Sequence, residues 1–428
     1  MSIIEITGGK TLQGTVRPAA AKNSVLPLLA ATLLCSAPCT LCGVPHLRDV
    51  ETSMALLTRV GASVRRQGGD LHTAPVPDTA LDGEIPAALA GAMRSSVFYL
   101  APLLCRVGWV RLPLPGGCKL GPRPVDIHLA GLTAMGAKVE VDSMAVTLRR
   151  GGALHGADFT LRLPSVGATL TLLMAACCAQ GTTVLRGAAC EPEIVDMARF
   201  LRGCGARITG EGSPVLVVHG GTGLGGARYT PVPDRIAAST WAAALAAAGG
   251  TLTLTDCAPG NFASFLALLR RCGVQVQRRG GTVELVRDPA RPLCGGQSVC
   301  ANVWPAFATD AAPLAAAVLL CAQGPSEVYD HLFPERFACA EGFARMGAPC
   351  EVQRHRLRIP GGAQLHGAAV QVPDLRGGAA LAVAALAARG TSMLHDPGQF
   401  IARGYEDLGG QLAALGAQCR VREEPPVD

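Results

Sequence analysis

Leu57-Thr-Arg-Val-Gly-Ala-Ser-Val64, Leu132-Thr-Ala-Met-Gly-Ala-Lys-Val139, Leu201-Arg-Gly-Cys-Gly-Ala-Arg-Ile208, Leu269-Arg-Arg-Cys-Gly-Val-Gln-Val276, Phe343-Ala-Arg-Met-Gly-Ala-Pro-Cys350 and Leu412-Ala-Ala-Leu-Gly-Ala-Gln-Cys419 follow one pattern. Each reads as the end of an apolar helix, a glycine, a small residue and the start of a strand. Glycine suits the helix C-terminus because it takes positive φ without a Cβ penalty. The marker glycines, Gly61, Gly136, Gly205, Gly273, Gly347 and Gly416, lie 75, 69, 68, 74 and 69 residues apart.

A second pattern alternates with the first. An Ala/Leu-rich helix runs into a Thr/Val strand at residues 103–112, 177–185, 246–254, 320–328 and 387–394, with a degenerate sixth copy at 33–41. Each repeat of about 70 residues therefore carries two helices and several strands, and cannot bury its faces alone. The reading is an α/β protein of six βαβαββ-type repeats.

At 428 residues the chain exceeds the usual size of one core, so two clusters of three repeats are expected rather than one solenoid. The Pro-interrupted stretch Tyr229–Arg235 separates repeats three and four. The strand expected over 3–15 precedes the first repeat and is free to close the other cluster. The expected domains are 22–231, and 1–21 plus 232–428, with a ligand cleft between them.

Composition removes several function classes. The chain is 49% hydrophobic and 16% charged, with net charge +6 and no basic run, which argues against nucleic acid as the main partner. Seventeen cysteines, an odd number with no regular framework, read as reduced thiols in a cytoplasmic protein. The uncharged stretches Ser24–Leu47 and Leu163–Leu185 are broken by Pro, Gly, Ser and Thr, so they read as buried helices followed by strands rather than as membrane spans.

Three motifs are decoys. Gly8-Gly-Lys-Thr11 resembles the end of a P-loop, but its first glycine would fall at Ile4. Gly221-Thr-Gly-Leu-Gly-Gly226 is followed by Ala-Arg-Tyr-Thr-Pro, with no helix N-terminus for a phosphate. Cys39-Thr-Leu-Cys42 with His46 lacks the fourth ligand of a structural zinc site.

The residues that suggest chemistry sit in four polar patches. Lys22-Asn23 opens the first helix. Pro115–Asp126 is a Gly/Pro-rich loop in which Lys119 and Arg123 flank Cys118, and nearby cations activate a thiol. Asp310 stands at a helix start in Pro305-Ala-Phe-Ala-Thr-Asp310. Arg94, Arg336, Arg376 and Arg403 recur singly in loops after short strands. Glu191 and Glu193 resemble a catalytic carboxylate pair, although a structural role is expected for them.

Read together, Lys22-Asn23, Ala92-Met-Arg-Ser-Ser96, Leu114-Pro-Gly-Gly-Cys-Lys-Leu-Gly-Pro-Arg-Pro-Val-Asp126, Pro164-Ser-Val-Gly-Ala-Thr169, Glu191-Pro-Glu-Ile-Val-Asp196, Pro233-Asp-Arg-Ile236, Pro305–Asp310 and Arg403-Gly-Tyr-Glu406 resemble the UDP-N-acetylglucosamine enolpyruvyl transferases (1-carboxyvinyltransferases) of peptidoglycan synthesis. The resemblance runs from about Ile4 to Val421, in order and without large gaps. It implies the enolpyruvyl transferase fold: two inverse αβ domains of three repeats each. It also implies transfer of the enolpyruvyl group of phosphoenolpyruvate to the 3′-hydroxyl of UDP-N-acetylglucosamine, by addition and then elimination of phosphate, with no metal or organic cofactor.

By the same resemblance, Lys22, Arg123 and Arg403 hold the phosphoenolpyruvate anion, with Arg376 near. Cys118 delivers a proton to the methylene carbon. Asp310 accepts the proton of the sugar hydroxyl, and Asn23 bonds substrate or intermediate. Arg94, Arg123, Pro124, Val125, Asp126, Ile127, Ser165, Val166, Gly167, Leu332 and Arg336 complete the substrate-binding set. The chain departs from the family pattern at Phe98, Leu163, Ala237, Ala311–Leu314 and Ala402, and keeps Cys118, Asp310 and the anion-binding cations. Two rival readings are an enolpyruvyl transferase for another nucleotide acceptor and a non-catalytic UDP-sugar-binding paralogue. Retained Ser165–Gly167 and Arg123–Asp126 oppose the first, and intact Cys118 and Asp310 oppose the second.

Overall fold

A computed structural model describes residues 2–113 and 125–423. Residues 20–113 and 125–232 form one compact domain, and residues 2–19 and 233–423 the other. Each has its own hydrophobic core.

All six marker glycines end a helix with positive φ: 90° at Gly61, 99° at Gly136, 105° at Gly205, 96° at Gly273, 90° at Gly347 and 96° at Gly416. A β-carbon resists that conformation, so these positions fix where each outer helix stops. The outer helices are Arg48–Arg59, Asp126–Ala134, Pro192–Gly203, Ala263–Arg271, Ala340–Arg345 and Leu408–Ala414.

The second pattern supplies the core helices. Arg235–Ala248, Ala312–Leu320 and Leu375–Ala387 pack on one another and are almost wholly buried. Their faces are Ala-rich, which lets backbones approach closely without voids. In the other domain Lys22–Ala31, Leu100–Val107 and Val166–Cys178 converge on the 3₁₀ turn Arg94–Tyr99. No helix of the described residues is long and apolar enough to cross a membrane.

One sheet pattern recurs. The strand after a core helix pairs in parallel on one side and antiparallel on the other, and a further antiparallel strand follows. Gly250–Leu254, for example, lies between Leu12–Val16, in parallel, and Thr282–Arg287, which then pairs with Gln275–Arg279. Ser326–Asp330 lies likewise between Ser298–Ala301 and Arg356–Ile359, with Glu351–Gln353 beyond.

Two strands come from distant parts of the chain. The last repeat ends at Gln418–Glu423, and Ser2–Thr7 fills its missing place, pairing antiparallel with both Thr391–Asp396 and Gln418–Glu423. The first repeat has no preceding strand of its own in its domain. Arg228–Tyr229 supplies one, parallel to Thr40–Leu41.

The segment 3–15, expected as one strand, is two: Ser2–Thr7 and Leu12–Val16, which join different sheets. The break is at Gly8-Gly9. A β-carbon on Gly8 would lie 2.2 Å from the Ala388 carbonyl oxygen, and Gly9 has φ 82°. The P-loop-like glycines are thus a turn that packs on a helix C-terminus. The turn at 221–226 leads into the strand Arg228–Tyr229, not a helix.

Candidate functional site

Each domain carries its own group of site residues. In the domain of residues 20–232, Lys22 opens the helix Lys22–Ala31, and its Nζ lies 2.6 Å from Asp49 Oδ2. Asp49 stands in the first turn of Arg48–Arg59 and is 3% exposed. A carboxylate so deeply buried fixes the ammonium at the helix start. Asn23 follows on the same turn, and Arg94 opens its own 3₁₀ turn.

A second cluster forms where two helices start side by side. Val125 caps Asp126–Ala134, and Ser165 caps Val166–Cys178 by accepting the Ala168 N–H at 3.3 Å. Arg162 donates to Asp126 Oδ2 at 2.7 and 3.1 Å. His128 Nδ1 meets Thr171 Oγ1 at 2.9 Å. Gly167 packs closely on the same ring: a β-carbon there would lie 3.2 Å from His128, which would have to give way by a few tenths of an ångström. Asp126 and Ile127 are thereby brought beside Ser165, Val166 and Gly167, although 38 or more residues separate them in sequence.

Burial lowers the pKa of His128 to about 4, and the nearby Asp126 charge offsets this only in part. The ring is neutral in the fold and cationic when exposed below its ordinary pKa of about 6.5. The unfolded chain then binds the extra proton, so this contribution to stability is lost as pH falls from about 6.5 towards 4. The loss is expected to reach about 2 kcal/mol by pH 5 and about 3 kcal/mol in all. The stability gap between wild type and His128→Gln, measured by urea unfolding, should narrow by about 2 kcal/mol from pH 7 to pH 5. A gap that stays constant would refute the neutral, buried imidazole.

In the other domain the centre is Asp310, in the 3₁₀ turn Thr309–Ala311 ahead of Ala312–Leu320. Two arginines grip it. Arg336 Nη2 lies 3.2 Å from Oδ1, and Arg376 donates from Nε and Nη2 to Oδ2 at 3.3 and 3.2 Å. The Asp310 side chain remains 28% exposed, so an incoming group can reach it.

Each arginine is itself anchored. Arg336 is 1% exposed and also reaches Thr309 Oγ1 and Asp330 Oδ2, at 3.3 and 3.4 Å. Asp330, fully buried, ends the strand Ser326–Asp330 and accepts the N–H groups of Leu332 and Phe333, both at 2.8 Å. It thus shapes the turn that carries Leu332 and holds Arg336 in place. Arg376 follows Asp374, which caps Leu375–Ala387 by accepting the N–H groups of Arg376 and Gly377. Burial alone would lower the Arg376 pKa, but Asp310, Tyr405 and Asp234 outweigh it and the net shift is upward. Tyr405 in turn shares a 2.7 Å bond with Thr240.

Arg403 closes the 3₁₀ turn Ile401–Arg403. The same device positions it: Asp396 ends its strand and accepts the N–H groups of Phe400 and Ile401 at 2.7 and 2.9 Å. Asp330 with Arg336, and Asp396 with Arg403, are two copies of one arrangement, a strand-ending aspartate followed six or seven residues later by arginine.

Cys118, Arg123 and Pro124 lie outside the described residues. Glu191 and Glu193 are buried at the start of Pro192–Gly203, the position of a structural rather than a solvent-facing pair. Asp49, Asp330, Asp396 and Tyr405 were not identified from sequence as site residues. Two of them carried a signal: Asp330 and Asp396 end strands in successive repeats, ahead of Arg336 and Arg403.

The sequence and fold of the chain have known counterparts. A family model described as EPSP synthase (3-phosphoshikimate 1-carboxyvinyltransferase) matches residues 6–412. UDP-N-acetylglucosamine 1-carboxyvinyltransferase of Desulfovibrio desulfuricans is 40% identical over 98% of this chain and 99% of that protein. UDP-N-acetylglucosamine 1-carboxyvinyltransferase 1 of Symbiobacterium thermophilum is 40% identical over 96% of this chain and 93% of its own length. Among solved structures, the enolpyruvyl transferase NikO from Streptomyces tendae superposes with a TM-score of 0.87 at 27% identity, covering 99% of both chains. EPSP synthase from Acinetobacter baumannii shares the fold, with a TM-score of 0.75 at 18% identity over 99% of this chain and 100% of its own. A chain built of these six repeats, with Asp310 and its arginines in the matched region, belongs to the family of UDP-N-acetylglucosamine 1-carboxyvinyltransferases.

Proposed function

We propose that the protein transfers the enolpyruvyl group of phosphoenolpyruvate to the 3′-hydroxyl of UDP-N-acetylglucosamine, the first committed step of peptidoglycan synthesis. The observation that carries this reading is Asp310 held between Arg336 and Arg376, in a chain 40% identical to transferases named for this reaction. The sugar hydroxyl adds to C2 of phosphoenolpyruvate and its proton passes to Asp310. A second proton, from the Cys118 thiol, enters at C3. The resulting tetrahedral ketal returns a C3 proton to the Cys118 thiolate and expels inorganic phosphate, which takes up the proton held by Asp310, and the double bond is restored.

Phosphoenolpyruvate is a dense anion, so its site needs cations: Lys22, Arg123 and Arg403 bind it, with Arg376 near. Asn23 bonds the substrate or the intermediate. Arg94, Val125, Asp126, Ile127, Ser165, Val166, Gly167 and Leu332, with Arg123 and Pro124, bind the UDP-sugar. Arg336, buried against Asp330, acts through Asp310 rather than on the ligand. The organic chemistry is proton transfer at carbon and oxygen, which these side chains supply without a cofactor. The reaction belongs in the cytoplasm, where both substrates are made.

The test is phosphate release from phosphoenolpyruvate, with and without UDP-N-acetylglucosamine, by wild type and Cys118→Ser. The expected result is release that requires the sugar nucleotide and falls roughly 10²–10⁴-fold in the variant. Release that ignores the sugar nucleotide, or none at all, would overturn the assignment and leave another acceptor or a binding role.

A further inference from the structure

Three cysteines that the reaction does not use meet inside one domain. Cys35 follows the 3₁₀ turn Thr32–Leu34, Cys39 opens the strand Cys39–Leu41, and Cys204 ends the helix Pro192–Gly203. They are 2%, 2% and 4% exposed. Their sulfurs all lie within 4.8 Å of one another, with Cys35 Sγ 3.8 Å from Cys204 Sγ. The fold brings Cys204 from 165 residues beyond Cys39, so chain proximity does not explain the group.

The Cys39, Cys42 and His46 motif, set aside as a zinc site in the sequence, does not come together as one. Cys39 turns into this group, while His46 lies 3.9 Å from Glu51. Among the described residues no other histidine, cysteine, aspartate or glutamate joins the three sulfurs. A closed structural zinc site takes four ligands in a tetrahedron. Soft thiolate ligands suit Cu(I), zinc and iron–sulfur clusters, and of these Cu(I) is the one whose shell three sulfurs can complete. With metal–sulfur bonds of about 2.3 Å, as for zinc thiolates, a planar trigonal site has edges of about 4 Å. The sulfurs already stand close to that spacing.

A second observation concerns charge and access. Cys35 and Arg106 line the same small recess, with Thr32, Leu33 and Thr73. The Arg106 guanidinium donates to the carbonyls of Leu33 and Val76 and pairs with Asp78. One Cu(I) with three thiolates carries two negative charges; Arg106, on the same recess as Cys35, is a cation on that side, its charge shared with Asp78.

We propose that Cys35, Cys39 and Cys204 form a trigonal thiolate site for Cu(I). Each sulfur that bonds the ion releases its proton to water. The copper arrives reduced and stays reduced, so no electron is transferred.

The test is an anaerobic titration of the full chain with Cu(I), supplied as its acetonitrile complex against bathocuproine disulfonate as competitor. Cys118→Ser serves as the parent, to remove the loop thiol. The expected result is one Cu(I) per chain, held at least 100-fold more tightly than in Cys39→Ser or Cys204→Ser. X-ray absorption on the parent should show three sulfurs around copper and no nitrogen. If the serine variants fail to fold, Cys35→Ala and Cys204→Ala, which keep the core apolar, give the same comparison. Equal Cu(I) affinity in parent and variants, a shell of other than three sulfurs, or Zn(II) displacing Cu(I) at equal concentration would each overturn the proposal.

Discussion

Asp310→Asn should lower kcat roughly 10²–10⁴-fold, the usual worth of a positioned acid or base, while KM for either substrate changes far less. The reason is geometric. Arg376 binds one carboxylate oxygen from two nitrogens and Arg336 binds the other, so the group has a single orientation, with its remaining surface open. An asparagine keeps the size and one accepting oxygen, but its NH2 cannot accept from the second arginine and the group cannot take up the hydroxyl proton. Steady-state rates with both substrates, beside a thermal unfolding curve, would separate lost chemistry from lost structure. Activity within tenfold of wild type would remove Asp310 from the reaction.

Arg336→Met should unfold the domain of residues 233–423 far more readily, by about 3–5 kcal/mol, the cost of breaking a buried pair from one side. Asp330 is fully buried, and Arg336 is the charged side chain it meets within the pair distances observed. Methionine fills most of the volume and supplies no charge. Asp330 then keeps only the Leu332 and Phe333 amides and must be protonated or hydrated. The double variant Arg336→Met with Asp330→Asn should recover much of the loss, since the uncompensated charge goes with it. Both variants should still lose activity, because Asp310 is left with one arginine. A single variant as stable as wild type in urea would show that the pair carries no structural weight.

The repeat architecture was legible in the sequence because it rests on local chemistry. A glycine that must take positive φ marks the end of each outer helix, and all six marked positions do so. The Ala/Leu runs were readable as buried helices for an equally local reason: they are too apolar to face water and too often broken to span a bilayer. Candidate site residues such as Lys22, Asp310 and Arg376 stood out as charges in bland surroundings. What they touch did not. Asp49 reads as one more acid in a helix start until the fold sets it 2.6 Å from Lys22. Nothing near Ser165 in the sequence announces that Gly167 faces the His128 ring.

The sequence by itself therefore determined the number of repeats, the order of helix and strand within each, and which polar side chains were worth watching. Those properties depend on φ preferences and burial, which act over a few residues. Only the tertiary structure decided that Ser2–Thr7 completes the last repeat and Arg228–Tyr229 the first, that Arg336 serves Asp330 as well as Asp310, and that Cys204 joins Cys35 and Cys39. These contacts link residues far apart along the chain. Their partners are selected by unsatisfied strand edges and buried charges, and those exist only once the core helices have packed.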